Sequence, residues 1–183
     1  MERSETTTRQ ALVEENCAYL EQLREIIAGL KDESFVRQEP PYTGGGIGKH
    51  TRHICDFYRA FVSSDGDLVD YDKRRRDPRI ENDRSSAGAE IGRLAGELPA
   101  TASWWPNEML RVRYEGAADE AVAQSTPARE LAFLASHTVH HFAIIAMIAR
   151  LQGYAVPKYF GIAPSTIRHL QDTDGTTTGQ EPG

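Results

Sequence analysis

Apolar residues recur at steps of three and four positions over most of the chain, a spacing that places them on one face of a helix. The pattern predicts four amphipathic helices, over residues 6–31, 47–63, 84–98 and 127–151. Pro99 is expected to end the third helix, since proline cannot donate the backbone hydrogen bond of a helix interior. The fourth helix has the clearest boundaries, with Thr126 as N-cap, Pro127 in the first turn and Gly153 after the last turn.

A different pattern separates the third and fourth helices. Residues 109–114 alternate apolar and charged side chains, which is the period of a half-buried strand. A turn at Gly116 then leads to a weaker strand candidate at residues 121–124. The two strands predict a small β-hairpin. The segment 67–83 is strongly charged, contains Pro78 and is expected to be irregular.

Together these elements predict an all-α protein, an up-and-down four-helix bundle with the β-hairpin inserted between helices 3 and 4. We expect residues 1–172 to form this bundle as a single domain, because a chain of this length can bury a sizeable core. Residues 173–183 are rich in threonine and glycine, and they are predicted to be a disordered tail.

Composition and charge restrict the partners. The net charge of −6 argues against nucleic acid, because binding to phosphates requires a basic surface. The polar N-terminus shows no signal peptide, and the apolar run at residues 142–149 is too short to span a bilayer. Two cysteines, Cys17 and Cys55, cannot build a framework of disulfides and suit a reducing compartment. We therefore expect a cytoplasmic protein without membrane association.

Five of the six histidines fall in two short clusters, each on a predicted helix. On the fourth helix, His137 and His141 share the apolar stripe with Leu134 and Ile148, while His140 lies at the edge of the stripe. Two imidazoles at positions i and i+4 are neighbours on a helix face and can chelate one ion. The alternative is a pair of hydrogen-bonded packing residues, although burying two unpaired rings would cost about 1–3 kcal/mol each.

The second helix offers a third imidazole, from either His50 or His53. On a helical wheel His50 lies within the apolar stripe beside Ile47 and Ile54, and His53 lies at its margin. Three imidazoles that leave one coordination position open form a catalytic rather than a closed structural metal site. Nitrogen ligands suit zinc, nickel, iron or copper better than calcium or magnesium.

The two clusters, IGKHTRHICDF at residues 47–57 and SHTVHH at residues 136–141, resemble the DinB/YfiT-like superfamily in residue type and in order along the chain. The similarity extends over residues 8–170 of the sequence. It implies a four-helix bundle in which one metal ligand comes from helix 2 and two, at i and i+4, come from the last helix. On this resemblance the metal ligands are His53, His137 and His141, with His50 as the alternative to His53.

The resemblance also implies a function, because relatives include transferases and isomerases that use low-molecular-weight thiols. We expect a metal-dependent enzyme in which zinc or nickel, or else iron, activates a thiol or a water for transfer to, or hydrolysis of, a small-molecule substrate. The alternative is a bundle that binds a metal or a small ligand without turnover, as a sensor or stress protein.

The charged segment at residues 70–81 is a further candidate for the site. If it folds back over the mouth of the bundle, Tyr71 and an arginine could meet an anionic substrate or the carboxylates of a thiol cofactor, with Tyr71 as a candidate catalytic residue. A salt-bridged surface loop is the alternative interpretation. Apolar faces left exposed on such a bundle would also permit a homodimer.

Overall fold

The computed structural model describes residues 2–40, 44–64, 67–104, 109–114, 116 and 121–176, without the side chains of 2–7, 102–104 and 173–176. Seven helices and three short strands lie within these ranges. In chain order they are α1 (Glu2–Ala28), α2 (Asp32–Val36), α3 (Ile47–Val62), β1 (Leu68–Asp70), α4 (Pro78–Asn82), α5 (Arg84–Trp104), β2 (Leu110–Arg113), β3 (Ala123–Ser125), α6 (Pro127–Leu151) and α7 (Pro164–Thr176).

The four long helices, α1, α3, α5 and α6, enclose the core. α1 packs against α5 and α6, and α3 packs against the same two helices. Their apolar stripes meet in one cluster, whose buried members include Leu20, Leu23, Ile54, Phe61, Leu94, Leu98, Leu134 and Ile145. Each such side chain contributes about 1.5–3 kcal/mol when it is fully buried. The predicted helical bundle is confirmed.

α6 begins and ends where its sequence signals predict. The hydroxyl of Thr126 accepts a hydrogen bond from the N–H of Arg129, and Pro127 occupies the first turn. After the last turn, Gly153 adopts a φ of 82°, a left-handed conformation that glycine takes without strain. The whole of α6 is long and apolar enough to cross a membrane by length and composition. The sequence prediction considered only its continuous apolar run at residues 142–149, which is too short to do so. Half of its most apolar window is buried inside the bundle, and a single helix of this kind is weak evidence for a membrane span.

The sequence predicts that the third helix ends at Pro99, but α5 continues to Trp104. A proline at this position leaves the carbonyl of Ala95, four residues earlier, without its usual backbone donor. The Cys17 thiol on α1 lies 3.6 Å from that carbonyl oxygen and donates a hydrogen bond to it. The prediction was wrong because a neighbouring helix supplies a donor that the local sequence lacks.

The predicted hairpin is confirmed, and it belongs to a three-stranded sheet in the order β1-β2-β3. β2 and β3 pair antiparallel, with Val112 opposite Ala123, whereas β1 pairs parallel to β2, with Val69 opposite Val112. The segment 67–83, expected to be irregular, therefore contains a strand. It also contains α4, which Asp77 caps by accepting a hydrogen bond from the N–H of Arg79. The expectation of an irregular segment was wrong because β1 forms by pairing with β2, which lies far along the chain and gives no signal within residues 67–83.

The C-terminal boundary of the domain stays a prediction. α7 continues to Thr176, past the expected end of the domain at Asp172. Residues 177–183 lie outside the described residues, so the division into a domain and a disordered tail stays a prediction. The cytoplasmic location also stays a prediction.

Candidate metal centre

Two close backbone contacts fix the start of α3, the helix that carries His50 and His53. A Cβ atom added to Gly48 would lie 2.1 Å from the carbonyl oxygen of Glu81 at the end of α4. One added to Gly46 would lie 2.7 Å from the carbonyl oxygen of Val36. Only glycine permits these approaches, and they hold the first turn of α3 against α2 and α4.

The structure brings together the three histidines that the family resemblance predicts as ligands. His53 on α3 and His137 and His141 on α6 each offer one ring nitrogen, and these nitrogens all lie within 4.8 Å of one another. The ring centroids are 5.0 Å apart for His53 and His137, and 4.6 Å apart for each of the other two pairs. His141 is buried, while His53 and His137 are half-buried. The group is therefore partly accessible to solvent.

His50, the alternative to His53, stands beside this group and contacts His141. Its Nδ1 lies 3.0 Å from Nδ1 of His141, and both side chains are buried. Burial lowers the pKa of His50 to about 4 and that of His141 to about 3, with smaller contributions from neighbouring cationic groups and histidines. Both rings are therefore neutral near pH 7. The helical wheel favours His50 because it lies within the apolar stripe of α3, and His50 is the more buried of the two histidines on this helix.

His140 contributes only an outer contact. Its side chain is exposed, and its ring meets His141 edge-on with centroids 5.2 Å apart. This agrees with its predicted position at the edge of the apolar stripe. Burial thus separates His140 from His141, although the two are adjacent in the sequence.

Aromatic side chains border the histidines on one side. The ring of Phe57 lies 4.1 Å from that of His137 and 5.0 Å from that of His53, measured between centroids. Phe133 lies 5.6 Å from His137. Tyr71 stacks on Phe57 at 5.2 Å, so it reaches the histidines through that ring. These contacts form an apolar wall beside the three imidazoles.

The hydroxyl of Tyr71 is buried next to Glu130. Burial, and then the charge of Glu130, raise the pKa of Tyr71 well above its ordinary value. Within the described residues, neither this hydroxyl nor Oε2 of Glu130 completes a hydrogen bond of standard geometry. The other carboxylate oxygen of Glu130 accepts hydrogen bonds from Ser125 and Arg129. Tyr71 therefore stays protonated near pH 7.

The charged segment at residues 70–81 packs partly against the bundle, and several of its polar groups form hydrogen bonds within the segment. The guanidinium carbon of Arg74 lies 4.1 Å from the centroid of Phe57, and Arg74 donates to the carbonyl of Tyr71. Asp70 accepts hydrogen bonds from the backbone of Asp72 and Lys73. A cavity of about 510 Å³ opens between this segment and the end of α3, lined by basic and acidic side chains that include Arg59, Lys73, Arg74, Arg75, Asp56 and Asp70.

The contact between His50 and His141 is the feature that sequence reasoning missed. A signal for it existed, since the wheel placed both residues on inward faces. A pattern along the chain cannot, however, give the separation of two side chains that are 91 positions apart. The sequence offered His50 only as an alternative ligand.

Comparisons with known proteins give the family but little on function. Over 107 residues the chain is 32% identical to FK506-binding protein 5 of Rhizopus delemar, a match that covers 57% of this chain and 28% of that relative. The chain thus spans less than a third of the relative's length. No solved structure matches the chain. The model of the DinB family matches residues 1–164, nearly the whole described bundle, and the chain therefore belongs to the DinB family.

Proposed function

We propose that this DinB-family protein binds one divalent transition metal ion through His53, His137 and His141, and that it is a metal-dependent enzyme acting on a small molecule. The observation that carries the proposal is the convergence of these three imidazoles from α3 and α6, with their nitrogens within 4.8 Å of one another. A thiol or a water would be the nucleophile, in a transfer or a hydrolysis.

The donor set fits such an ion. Zinc–nitrogen bonds measure about 2.0–2.1 Å, so a tetrahedral ion holds two ligand nitrogens about 3.3–3.4 Å apart. Nitrogens within 4.8 Å of one another must approach by at most about 1.5 Å to reach that separation, which side-chain rotations can supply. The low pKa of His141 supports the fit, because a neutral ring keeps the lone pair that a metal requires. Zinc or nickel suits three imidazoles best, and iron is a further possibility.

The chemistry follows from three ligands rather than four. A divalent ion held by His53, His137 and His141 would leave room for a thiol or water and would supply the Lewis acidity that lowers its pKa. The chain's own residues would hold the ion and shape the approach to it. Phe57 and Phe133 keep water from one side of His137. Tyr71, protonated behind Phe57, remains a candidate proton donor that would need a side-chain movement to reach the substrate.

Metal content and turnover test the proposal in sequence. Elemental analysis of purified protein should find about one equivalent of a transition metal per chain. The loaded protein should then be screened with glutathione, mycothiol and bacillithiol analogues and with hydrolysable esters and amides, each with and without a chelator. Rates that the chelator abolishes would support the enzyme. A protein that holds metal but is inert towards every substrate would favour the non-catalytic sensor, and a protein without metal would contradict both.

A further inference from the structure

His50 and His141 form a buried pair that lies at the edge of the proposed metal site. Their Nδ1 atoms are 3.0 Å apart, which is a hydrogen-bonding distance, and their ring planes are tilted by 35°. A neutral imidazole carries one proton on one of its two nitrogens. At 3.0 Å, two facing N–H groups or two facing lone pairs would repel each other, so one Nδ1 must donate and the other must accept.

Two arrangements of the proton are possible. If His50 donates, Nδ1 of His141 is the acceptor and the proton of His141 is on Nε2. If His141 donates, its proton is on Nδ1 and its Nε2 carries a free lone pair. Only the second arrangement leaves His141 able to bind an ion, since its Nδ1 is already engaged with His50. The orientation of this one hydrogen bond thus decides whether His141 can be a ligand.

We propose that His50 is a positioning residue of the metal site, whose Nδ1 accepts the Nδ1–H of His141 and so holds His141 in the tautomer that presents Nε2 to the ion. This inference rests on the proposed function, and it assigns His50 a role other than that of a fourth ligand. Hydrogen-bond partners of this kind fix the ring orientation and raise the basicity of ligating histidines.

The surroundings of His141 make this partner important. His141 is buried, so an Nδ1–H without an acceptor would carry a desolvation cost of about 1–3 kcal/mol. His140 provides a matched comparison, because its ring centroid lies at the same 5.2 Å from that of His141 as the ring centroid of His50 does. His140 is exposed, and within the described residues no hydrogen bond joins it to His141. Loss of its ring should therefore leave the tautomer unchanged.

The test combines zinc titration with heteronuclear NMR of the imidazole nitrogens, on wild-type protein and on three variants. His50→Phe removes the acceptor, His50→Asn keeps one, because Oδ1 of asparagine is bonded to Cγ just as Nδ1 of histidine is, and His140→Phe is the control. We expect His50→Phe to weaken zinc binding by about 10–100-fold. His50→Asn should recover much of this loss, and His140→Phe should bind zinc like wild type.

The spectra give a readout that a purely structural role would not change. In metal-free wild-type protein the proton of His141 should be on Nδ1, and His50→Phe should shift it towards Nε2. A wild-type spectrum with the proton on Nε2 would overturn the proposal even if His50→Phe fails to fold. So would equal zinc affinity in wild type and a folded His50→Phe. A cobalt absorption spectrum that loses one nitrogen ligand in His50→Asn would make His50 a ligand and overturn the positioning role.

The same titration separates this inference from the proposed function. If wild-type protein does not bind zinc or cobalt, the metal site itself is wrong and the positioning role falls with it. If wild type binds and only the dependence on His50 is missing, the metal site stands and the inference about His50 is wrong.

Discussion

The side of α3 that faces α6 and the side that faces α4 and α5 carry opposite kinds of polar chemistry. Towards α6, His53 meets His137 and His141, and His50 meets His141. Where the pKa is perturbed on this side, in His50 and His141, the shift favours the uncharged ring. The other side consists of permanent charges.

The charged side is a connected set of ion pairs. Arg52 donates to Asp56 and to Glu81 of α4, each at 2.5 Å. Arg59 donates to the other oxygen of Asp56 at 3.2 Å and to Glu90 of α5 at 2.7 Å. Burial raises the pKa of Asp56, while the two arginines act in the opposite direction. These pairs join three helices, and each carboxylate has a cationic partner.

The two sides of α3 are suited to different roles: the charged side stabilises the packing of the helices, and the histidine side is suited to bind a ligand. Paired charges satisfy each other across three helices, so they serve to position α3. Neutral imidazoles brought close together keep lone pairs for an ion. Substitutions on the two sides should therefore have separable effects, on metal affinity for one side and on stability for the other.

The largest effect is expected on the histidine side. Substituting His53, His137 or His141 by alanine removes one of the three proposed ligands. Loss of a residue that only hydrogen-bonds to a ligand weakens metal binding by up to about 100-fold, so loss of a ligand itself should weaken zinc binding by more than that. Competition titration against a coloured chelator measures this affinity. His140→Ala is the control and should bind like wild type. Full zinc affinity in the His137→Ala variant would remove that residue from the site.

On the charged side, Asp56→Asn should reduce stability without loss of metal. The carboxylate is 1% exposed and pairs with two arginines, so its removal breaks two buried ion pairs. Because Arg52 keeps Glu81 and Arg59 keeps Glu90, the free energy of unfolding should fall by about 3 kcal/mol, the low end of the range for a broken buried pair. Urea denaturation measures the change. Arg24→Gln, which breaks an exposed pair with Glu21 on α1, should cost much less, because solvent screens that pair. Equal costs for the two substitutions would contradict the structural role of the Asp56 pairs.

The histidine side should also make the metal-free protein sensitive to acid. The folded-state pKa of His50, about 4, and that of His141, about 3, lie below the ordinary value of about 6.5. The folded state therefore takes up fewer protons than the unfolded state in this window. The resulting stability is complete above about pH 6.5 and is lost as the pH falls towards 4 and then 3.

Unfolding free energies of metal-free protein, measured in urea between about pH 7 and pH 5, check this sign. The values should decrease with falling pH, and His50→Asn should show a shallower decrease because it has one fewer titrating ring. Stability that rises on acidification would show that these rings are not held neutral.

Tyr71→Phe should have the smallest effect. The substitution removes a buried hydroxyl without a standard hydrogen bond and keeps the ring that stacks on Phe57. The free energy of unfolding should stay the same or increase by about 1 kcal/mol, and zinc affinity should not change. Thermal denaturation and zinc titration measure both. A clear loss of stability would mean that the hydroxyl and Glu130 share a hydrogen bond worth more than its desolvation.

The sequence could predict those features that depend on neighbours along the chain. Thr126 and Pro127 mark the start of α6, and the i,i+4 spacing places His137 and His141 on one face. The sequence could not predict contacts between segments that are distant along the chain. The thiol of Cys17 donates to the carbonyl that Pro99 leaves without a backbone donor, and β1 forms beside β2. The role of His50 depends on a distance across two helices, which no periodicity encodes.

Anomalous diffraction from crystals grown with zinc tests the central claim most directly, since it locates the ion without reference to activity. We predict one strong peak between α3 and α6, at about 2.0–2.1 Å from a nitrogen of each of His53, His137 and His141 and beyond bonding distance of His50. No peak among these three rings, or a peak bonded to His50 in place of His53, would contradict the account.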